Sequence, residues 1–416
     1  MTLPQFITLS VFFIVLFFSF RKGNDLASPA KAFLLLWCFA IFLCEFKFSG
    51  FQYKWNYLSW TVFITGLCSF LIGNYSAYIV NIGKPLKSIV EIRSLIQTPG
   101  KFNNQKLFNI NIILFLLYSF SYVFELLVIG NLPIFSSHFD KARIDYGIFG
   151  IHLFVNFQFI IMFLNSEYLI IEKKQKHKKF LIWVIFFITA LSFALLLQRF
   201  NYFIYMVMTF ALFYYGSKAI TFRKIIITLV VFFGFLGLIQ TIRLSQYASQ
   251  FMYVVSRMKY GREWAFFTEP YMYIVMNLEN FARMVANLNY HTYGLLTADW
   301  LAALFGIKHW ATAYFAIDAR VFVNSNFNTF VFLSYYYYDF GLIGVLILPL
   351  LTGLFIGFNY YNMRKTGELR YIVNYSVCLS VIIISFFTNP LVMLAWVVPI
   401  FILWIIHKYF FYEIIS

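Results

Sequence analysis

Arginines at the ends of long apolar runs are the side chains in this sequence best suited to chemistry. Arg199 follows Gln198 and opens one apolar run, while Arg243 closes another. A guanidinium stays charged at low dielectric, and its planar fork of donors matches two phosphate oxygens. The two positions predict a shared anionic ligand such as a lipid-linked phosphate, although snorkelling to headgroups remains open for each. Arg143 is a further candidate.

Acid and base candidates are few on the side of the membrane where these arginines are predicted to lie. A carboxylate or imidazole is needed there if an attacking hydroxyl is to lose its proton. We predict Glu269 and His291 for this role, although His291 also fits a solvated loop residue. Glu279 lies four residues before Arg283 and could form an ion pair with it, and Asp339 could cap the next helix. Arg143, the further arginine candidate, could form a salt bridge with Asp140 or Asp145.

Motifs for nucleotides and metals are missing from the sequence, which contains no Walker loop, no GxGxxG, no HExxH, no CxxC and no DxD pair. We therefore expect no cofactor and no metal. The four cysteines, Cys38, Cys44, Cys68 and Cys378, lie inside apolar segments and are interpreted as packing residues.

The elements that must position these residues are membrane helices. Hydrophobic residues make up 62% of the 416 positions and charged residues only 12%, far below the quarter typical of soluble proteins. The long runs are apolar all round, which favours an all-α polytopic bundle over a barrel. The predicted spans are 4–20, 31–49, 57–79, 108–129, 149–171, 180–197, 201–216, 224–241, 340–358, 371–388 and 391–407.

Basic residues cluster in alternate connections between these spans, as the positive-inside rule expects. The basic clusters are Arg21 and Lys22; Lys84 to Lys106; Lys173 to Lys179; Lys218 to Lys224; and Arg364 to Arg370. This predicts an outer N-terminus, a cytoplasmic C-terminus, and outer segments at 130–148, 198–200 and 241–340. It also accounts for most of the net charge of +16 without nucleic acid.

Three regions follow from this topology. Residues 1–240 hold the first eight spans, and residues 341–416 hold the C-terminal spans. Residues 241–340 form a large outer loop with amphipathic or re-entrant helices, in which the aromatic run from Phe327 to Phe340 is predicted to re-enter the membrane interface.

The order of these features resembles the O-antigen polymerase family, the Wzy-type polymerases of oligosaccharide repeat units. The resemblance rests on Gly130 to Phe135 with Arg143, on Gln198 and Arg199, on Arg243, and on the large outer loop from Gly294. Its most specific part is Asn328 and Thr329 followed by Tyr338, Asp339, Phe340, Gly341 and, three residues on, Gly344.

The resemblance implies a glycosyltransferase of GT-C type in the bacterial inner membrane, acting on its outer side. It implies metal-independent, inverting transfer of a growing glycan from undecaprenyl pyrophosphate to a fresh lipid-linked repeat unit, yielding O-antigen or capsular polysaccharide. Arg199 and Arg243 would hold the pyrophosphate, and Arg143 and Arg320 are supporting candidates on charge grounds alone. Asn328, Tyr338, Asp339 and Gly341 would lie near the site. Membrane lipid and a chain-length regulator are the expected partners.

Two other functions remain open. A polysaccharide ligase shares the fold and the arginine-rich outer side but uses a different acceptor. A flippase or transporter of the same lipid-linked unit is disfavoured because its broken, repeated helices usually carry polar groups at mid-membrane. Here the spans lack charged midpoints apart from Glu45 and Glu125, and no inverted repeat is visible.

Overall fold

The computed structural model describes residues 2–19, 24–96, 103–217, 234, 248–324 and 327–410. The regular structure in these ranges is helical, with one isolated antiparallel bridge between Ser49 and Met258. The all-α prediction is therefore confirmed for the described chain. Apart from residue 234, the predicted span 224–241 lies outside the described residues. So do Arg243, Arg21, Lys22, Lys101, Lys218, Arg223 and Lys224.

The helices are numbered here in chain order. They are α1 (Leu3–Ser19), α2 (Pro29–Cys44), α3 (Tyr57–Ile79), α4 (Ile89–Ile96), α5 (Asn104–Ile129), α6 (Phe139–Asp145), α7 (His152–Val155), α8 (Gln158–Ile171), α9 (Lys176–Ala194), α10 (Phe200–Gly216), α11 (Ala248–Val255), α12 (Thr268–Asn287), α13 (Asp299–Leu304), α14 (Ile307–Trp310), α15 (Thr312–Phe315), α16 (Phe332–Thr366), α17 (Leu369–Ile384) and α18 (Leu394–Ile405).

Five described helical segments are long and apolar enough to cross a membrane: Tyr57–Ile79, Asn104–Phe135, His152–Ile171, Lys176–Ala194 and Phe332–Thr366. Four shorter apolar helices accompany them, at Leu3–Ser19, Pro29–Cys44, Leu369–Ile384 and Leu394–Tyr409. Each of these segments overlaps a span predicted from the sequence. The chain forms two compact units, one of residues 1–86, 246–365 and 378–397, and the other of residues 87–245, 366–377 and 398–416.

In the first unit, α3 and α16 cross with their backbones in close approach. A Cβ on Gly73 would lie 2.0 Å from the Leu350 carbonyl oxygen, and one on Gly353 would lie 2.1 Å from that of Phe70. Only glycine fits at such a crossing. Without a hydrophobic driving force between helices in lipid, close packing at small residues is a main source of helix association.

Polar contacts define the two ends of this unit. The Thr2 hydroxyl, before α1, donates to Glu45, after α2, across 3.2 Å. At the other end, Asp25 between α1 and α2 accepts a hydrogen bond of 2.9 Å from Tyr360 and lies 3.6 Å from Arg364. The α1–α2 connection and the end of α16 therefore lie together.

In the second unit, α8 is the central helix. Each residue from Gln158 to Tyr168 is buried, and α8 packs against α5, α9 and α10. The buried pair formed by Glu167 of α8 and His407, with 2.9 Å between Oε1 and Nε2, adds a polar contact to this core.

Helix α16 begins earlier than the predicted span 340–358. It starts at Phe332, so most of the run from Phe327 to Phe340 is helix. Asp339 does not act as a helix cap, because its carboxylate accepts hydrogen bonds from Thr292, Leu296 and Thr297. The helix bends immediately afterwards at Gly341, whose φ of 59° and ψ of −141° are non-helical.

Candidate functional site

Helix α12 organises the loop-rich end of the first unit through a buried carboxylate. Glu279 is fully buried and accepts hydrogen bonds from Lys47 Nζ at 2.7 Å and Trp55 Nε1 at 3.0 Å. Gln52 Nε2 adds a third at 3.4 Å. All three donors come from the α2–α3 connection. The expected pairing of Glu279 with Arg283 is therefore wrong, because long-range partners surround the carboxylate.

The positive charge opposite Glu279 is also constrained. Lys47 adopts a left-handed φ of 51° and lies 3.5 Å from Glu45 as well. Burial by itself lowers the pKa of Lys47, but its interactions with Cys44, Glu279 and Glu45 raise it, and the net pKa lies above the usual value. Lys47 therefore stays protonated as the counter-charge of Glu279.

A second face of α12 fixes the segment that precedes α16. Asn280 Nδ2 donates to the carbonyl oxygens of Phe327 and Thr329, at 2.6 and 3.0 Å, and its Oδ1 accepts from Val323 N at 2.9 Å. The Thr329 hydroxyl donates to Asn277 Oδ1. Thr329 of the sequence motif thus ties the segment to α12, whereas the neighbouring Asn328 is exposed.

Asp339 is the centre of a buried hydrogen-bond network. Its carboxylate accepts from the backbone N–H of Leu296 at 3.1 Å and of Thr297 at 2.6 Å. The hydroxyls of Thr292 and Thr297 donate to it as well. With four donors satisfied and no exposure to solvent, this carboxylate holds the 292–297 loop against α16.

His291, Tyr338 and Gly341 complete this cluster. His291 Nδ1 lies 3.2 Å from the Tyr338 carbonyl oxygen, and its ring packs on Gly341, where a Cβ would come within 3.0 Å of Nε2. The Tyr338 hydroxyl donates to the Tyr290 hydroxyl at 3.1 Å and accepts from Asp318 N at 3.1 Å. The structure thus brings together four residues predicted near the site: His291, Tyr338, Asp339 and Gly341.

The remaining predicted residues of this unit lie around the cluster. Arg320 is mostly exposed and makes a two-pronged salt bridge to Asp318, with contacts of 2.9 and 2.6 Å to Oδ2. Its hydrogen bonds lower the pKa of the Asp318 carboxyl, so an anion at Arg320 must compete with a charged partner. Glu269 lies in the first turn of α12, half-buried.

Two other arginines predicted to bind pyrophosphate, Arg199 and Arg143, belong to the second unit. Arg199 is half-buried at the N-cap of α10, where its side chain makes no capping hydrogen bond. Arg143 is half-buried on the short helix α6. The 130–156 segment is joined to the turn before α10 by Ile134 N to Leu195 O at 3.3 Å and by Asn201 to Asn156 at 3.0 Å.

A carboxylate and an imidazole pair at the same turn, and sequence reasoning missed this pair. Glu125, near the end of α5, is fully buried and lies 3.0 Å from His152 Nδ1, while Ile148 N donates to it at 3.0 Å. His152 Nε2 faces the side-chain amide of Gln198 at 3.4 Å. The only signal in the sequence was the charge of Glu125 inside an apolar run.

Tyr146 packs against the His152 ring of this pair. Its ring meets the His152 ring edge to face, with 6.3 Å between centroids. Burial, together with the nearby Glu125 charge, raises the pKa of Tyr146 to about 12, so the phenol stays neutral. The pair is therefore packed on one side and borders the turn that carries Arg199 on the other.

Two further features bear on which ligands the protein binds. A cavity of about 460 Å³ in the second unit is lined by Lys173, Trp183, Tyr205 and Ser217, near the opposite ends of α8 and α10 from the Arg199 turn. Among the described residues, no group of three or more His, Cys, Asp or Glu side chains is placed to hold a metal ion.

Comparison with known proteins agrees with the resemblance noted in the sequence. The family model described as "Putative O-antigen polymerase" matches residues 6–399, nearly the whole chain. No curated protein and no solved structure matches the chain. The apolar helices and the family together indicate an integral membrane protein that uses lipid-linked oligosaccharide. The chain belongs to the O-antigen polymerase family.

Proposed function

We propose that this protein polymerises undecaprenyl-pyrophosphate-linked repeat units into O-antigen or capsular polysaccharide, on the outer side of the bacterial inner membrane. The observation that carries the proposal is the family match from residue 6 to residue 399, which spans the arginine positions and the outer loop together. The donor brings its own leaving group, so neither a nucleotide pocket nor a metal is required.

The leaving group explains the need for arginines. Inverting transfer breaks the bond between the sugar anomeric carbon and the pyrophosphate, and negative charge grows on the departing oxygen. Donors aimed at that charge stabilise the transition state more than the ground state. Arg199 is suited to this task because it lies at the N-terminus of the 17-residue helix α10, where the helix dipole also attracts anions. Arg243 is proposed as its partner, with Arg143 and Arg320 in support.

The 292–297 loop of the first unit offers an aromatic surface that suits sugar rings. The cluster of His291, Tyr338, Asp339 and Gly341 forms a rigid support for the 292–297 loop, which carries the exposed ring of Tyr293. Glu269 and His291 are the residues that the sequence predicted to accept the proton of the attacking hydroxyl. Membrane lipids and a chain-length regulator are the proposed partners.

The test is deletion of the gene in its host, followed by a gel of surface glycan. We expect the ladder of long chains to disappear while the lipid capped with a single repeat unit remains, and expression of the intact protein to restore the ladder. Loss of every unit, including the single one, would instead indicate a ligase or a flippase and would overturn the proposal.

A further inference from the structure

The pair of Glu125 and His152 has the construction of a general base and its orienting acid. A carboxylate can only accept hydrogen bonds, so its contact of 3.0 Å to His152 Nδ1 requires the proton on Nδ1. The lone pair then lies on Nε2, at the opposite side of the ring. A buried acid that holds an imidazole in one tautomer is a recurrent arrangement in hydroxyl activation.

The orientation of the imidazole is set from several directions. Glu125 is itself held by the backbone N–H of Ile148, so its carboxylate cannot swing away without losing a buried hydrogen bond. Gly147 leaves room for the ring, since a Cβ there would lie 2.7 Å from His152 Cγ. Tyr146 covers the ring from the side. A structural ion pair alone would not require the free nitrogen to face a particular group.

The free nitrogen faces the turn proposed to bind pyrophosphate. His152 Nε2 contacts the amide of Gln198, the residue directly before Arg199, across 3.4 Å. This is a long hydrogen bond, which a sugar hydroxyl can replace at little cost. The His152 side chain is 21% exposed, whereas Glu125 is fully buried. Within one compact unit, a substrate can therefore reach the imidazole but not the acid behind it.

His291, the histidine predicted from the sequence, is built differently. Its Nδ1 contacts a backbone carbonyl, and its Nε2 faces the Gly341 backbone. Among the hydrogen bonds of the described residues, His291 has no carboxylate partner, so nothing comparable to Glu125 stabilises an imidazolium there.

We infer that His152 is the catalytic base of the transfer and that Glu125 is its positioning residue; this inference rests on the proposed function. The acceptor hydroxyl gives its proton to His152 Nε2 as its oxygen bonds to the anomeric carbon of the donor. The bond from that carbon to the pyrophosphate oxygen breaks, and undecaprenyl pyrophosphate leaves with the electron pair. The imidazolium, paired with Glu125, later releases the proton to water. General-base catalysis of this kind contributes about 100-fold to 10,000-fold in rate.

The experiment uses the full-length protein in proteoliposomes, supplied with lipid-linked repeat units extracted from the deletion strain. His152→Asn keeps a donor for Glu125 but has no basic nitrogen, so it separates catalysis from folding. We expect kcat to fall by about 100-fold or more with little change in KM. His138→Asn, at an exposed histidine in the same outer segment, is the matched control and should keep the full rate.

Chemical rescue gives the second readout. In His152→Ala, added imidazole should restore part of kcat, whereas it should leave His138→Asn and the wild type unchanged. A normal kcat in His152→Asn, or inactivity of His152→Ala that imidazole does not relieve, would overturn the assignment while wild-type polymerisation upholds the proposed function. A wild-type protein that forms no polymer would overturn both.

Discussion

The carboxylate of Asp339 accepts a hydrogen bond of 2.6 Å from the backbone N–H of Thr297, 42 residues earlier in the chain. This contact joins a membrane-length helix to the 292–297 loop. It also changes the interpretation of the motif that contains Tyr338, Asp339 and Gly341. Asp339 and Gly341 belong to the support of the site, and their substitution should act first on stability.

Asp339→Ala should destabilise the protein. Two backbone N–H groups and two hydroxyls would lose their acceptor, and each buried donor left unsatisfied costs about 1–3 kcal/mol. We expect a clearly lower midpoint of thermal unfolding in detergent and a lower protein level in the membrane. Asp299→Ala is the control, because Asp299 pairs with the part-exposed Lys308 and should change little. Equal midpoints for the two variants would contradict the structural role of Asp339.

Gly341→Ala should be more harmful than Gly306→Ala. Both glycines have positive φ, 59° and 73°, so both variants carry backbone strain. Only at Gly341 would the added methyl also meet a side chain, 3.0 Å from His291 Nε2, because the space around Gly306 is open. We expect a cost of about 1–3 kcal/mol from strain at either position and an additional loss at Gly341. The thermal unfolding midpoints of the two variants measure this difference. Equal midpoints would contradict the prediction.

Lys47→Met should destabilise the first unit more than a surface lysine change does. The substitution leaves the Glu279 carboxylate buried without its counter-charge, and breaking a buried pair from one side costs about 3–5 kcal/mol. Lys54→Met, at an exposed lysine of the same connection, is the matched control. If Glu279→Gln is combined with Lys47→Met, part of the loss should be recovered, since no unpaired charge remains. Additive losses in the double variant would argue against the pair.

Alkaline pH should weaken the same contact. The pKa of Lys47 is raised in the folded protein above its usual value of 10.5, so the folded state binds this proton more tightly than the unfolded state. The resulting stabilisation is fully present below pH 10.5 and is lost as pH rises through the folded pKa. The unfolding midpoint of the wild type should therefore fall more steeply above pH 10.5 than that of Lys47→Met. Parallel curves would mean that the folded and unfolded pKa values are alike.

Much of the helical fold could be predicted because an apolar run long enough to cross a membrane must satisfy its backbone hydrogen bonds internally, and a helix does so. The predicted span 57–79 coincides with α3, and 201–216 nearly coincides with α10. The start of α16 was placed eight residues late because its first turns are aromatic and resemble an interfacial segment. No rule of local spacing finds a partner 232 residues away, as Lys47 is from Glu279, whereas the i, i+4 rule suggested Arg283.

The candidate site was predictable only in part for a similar reason. Charge at the ends of apolar runs made Arg199 and Arg243 candidates, since an ionised group in such a place is usually retained for a partner. Glu125 and His152 lie on different elements, 27 residues apart, and only the folded turn after α5 brings them together. Sequence reasoning noted the acid without finding its imidazole.

Polymer formation by reconstituted variants tests the central claim most directly. Proteoliposomes would hold the wild type, Arg199→Ala, Arg199→Lys or Arg243→Ala, with lipid-linked repeat units as substrate and the exposed Arg262→Ala as control. We predict long chains from the wild type and Arg262→Ala, and none from the other three, because lysine retains a point charge but not the fork that matches two phosphate oxygens. Normal chain lengths from Arg199→Ala and Arg243→Ala would contradict the account.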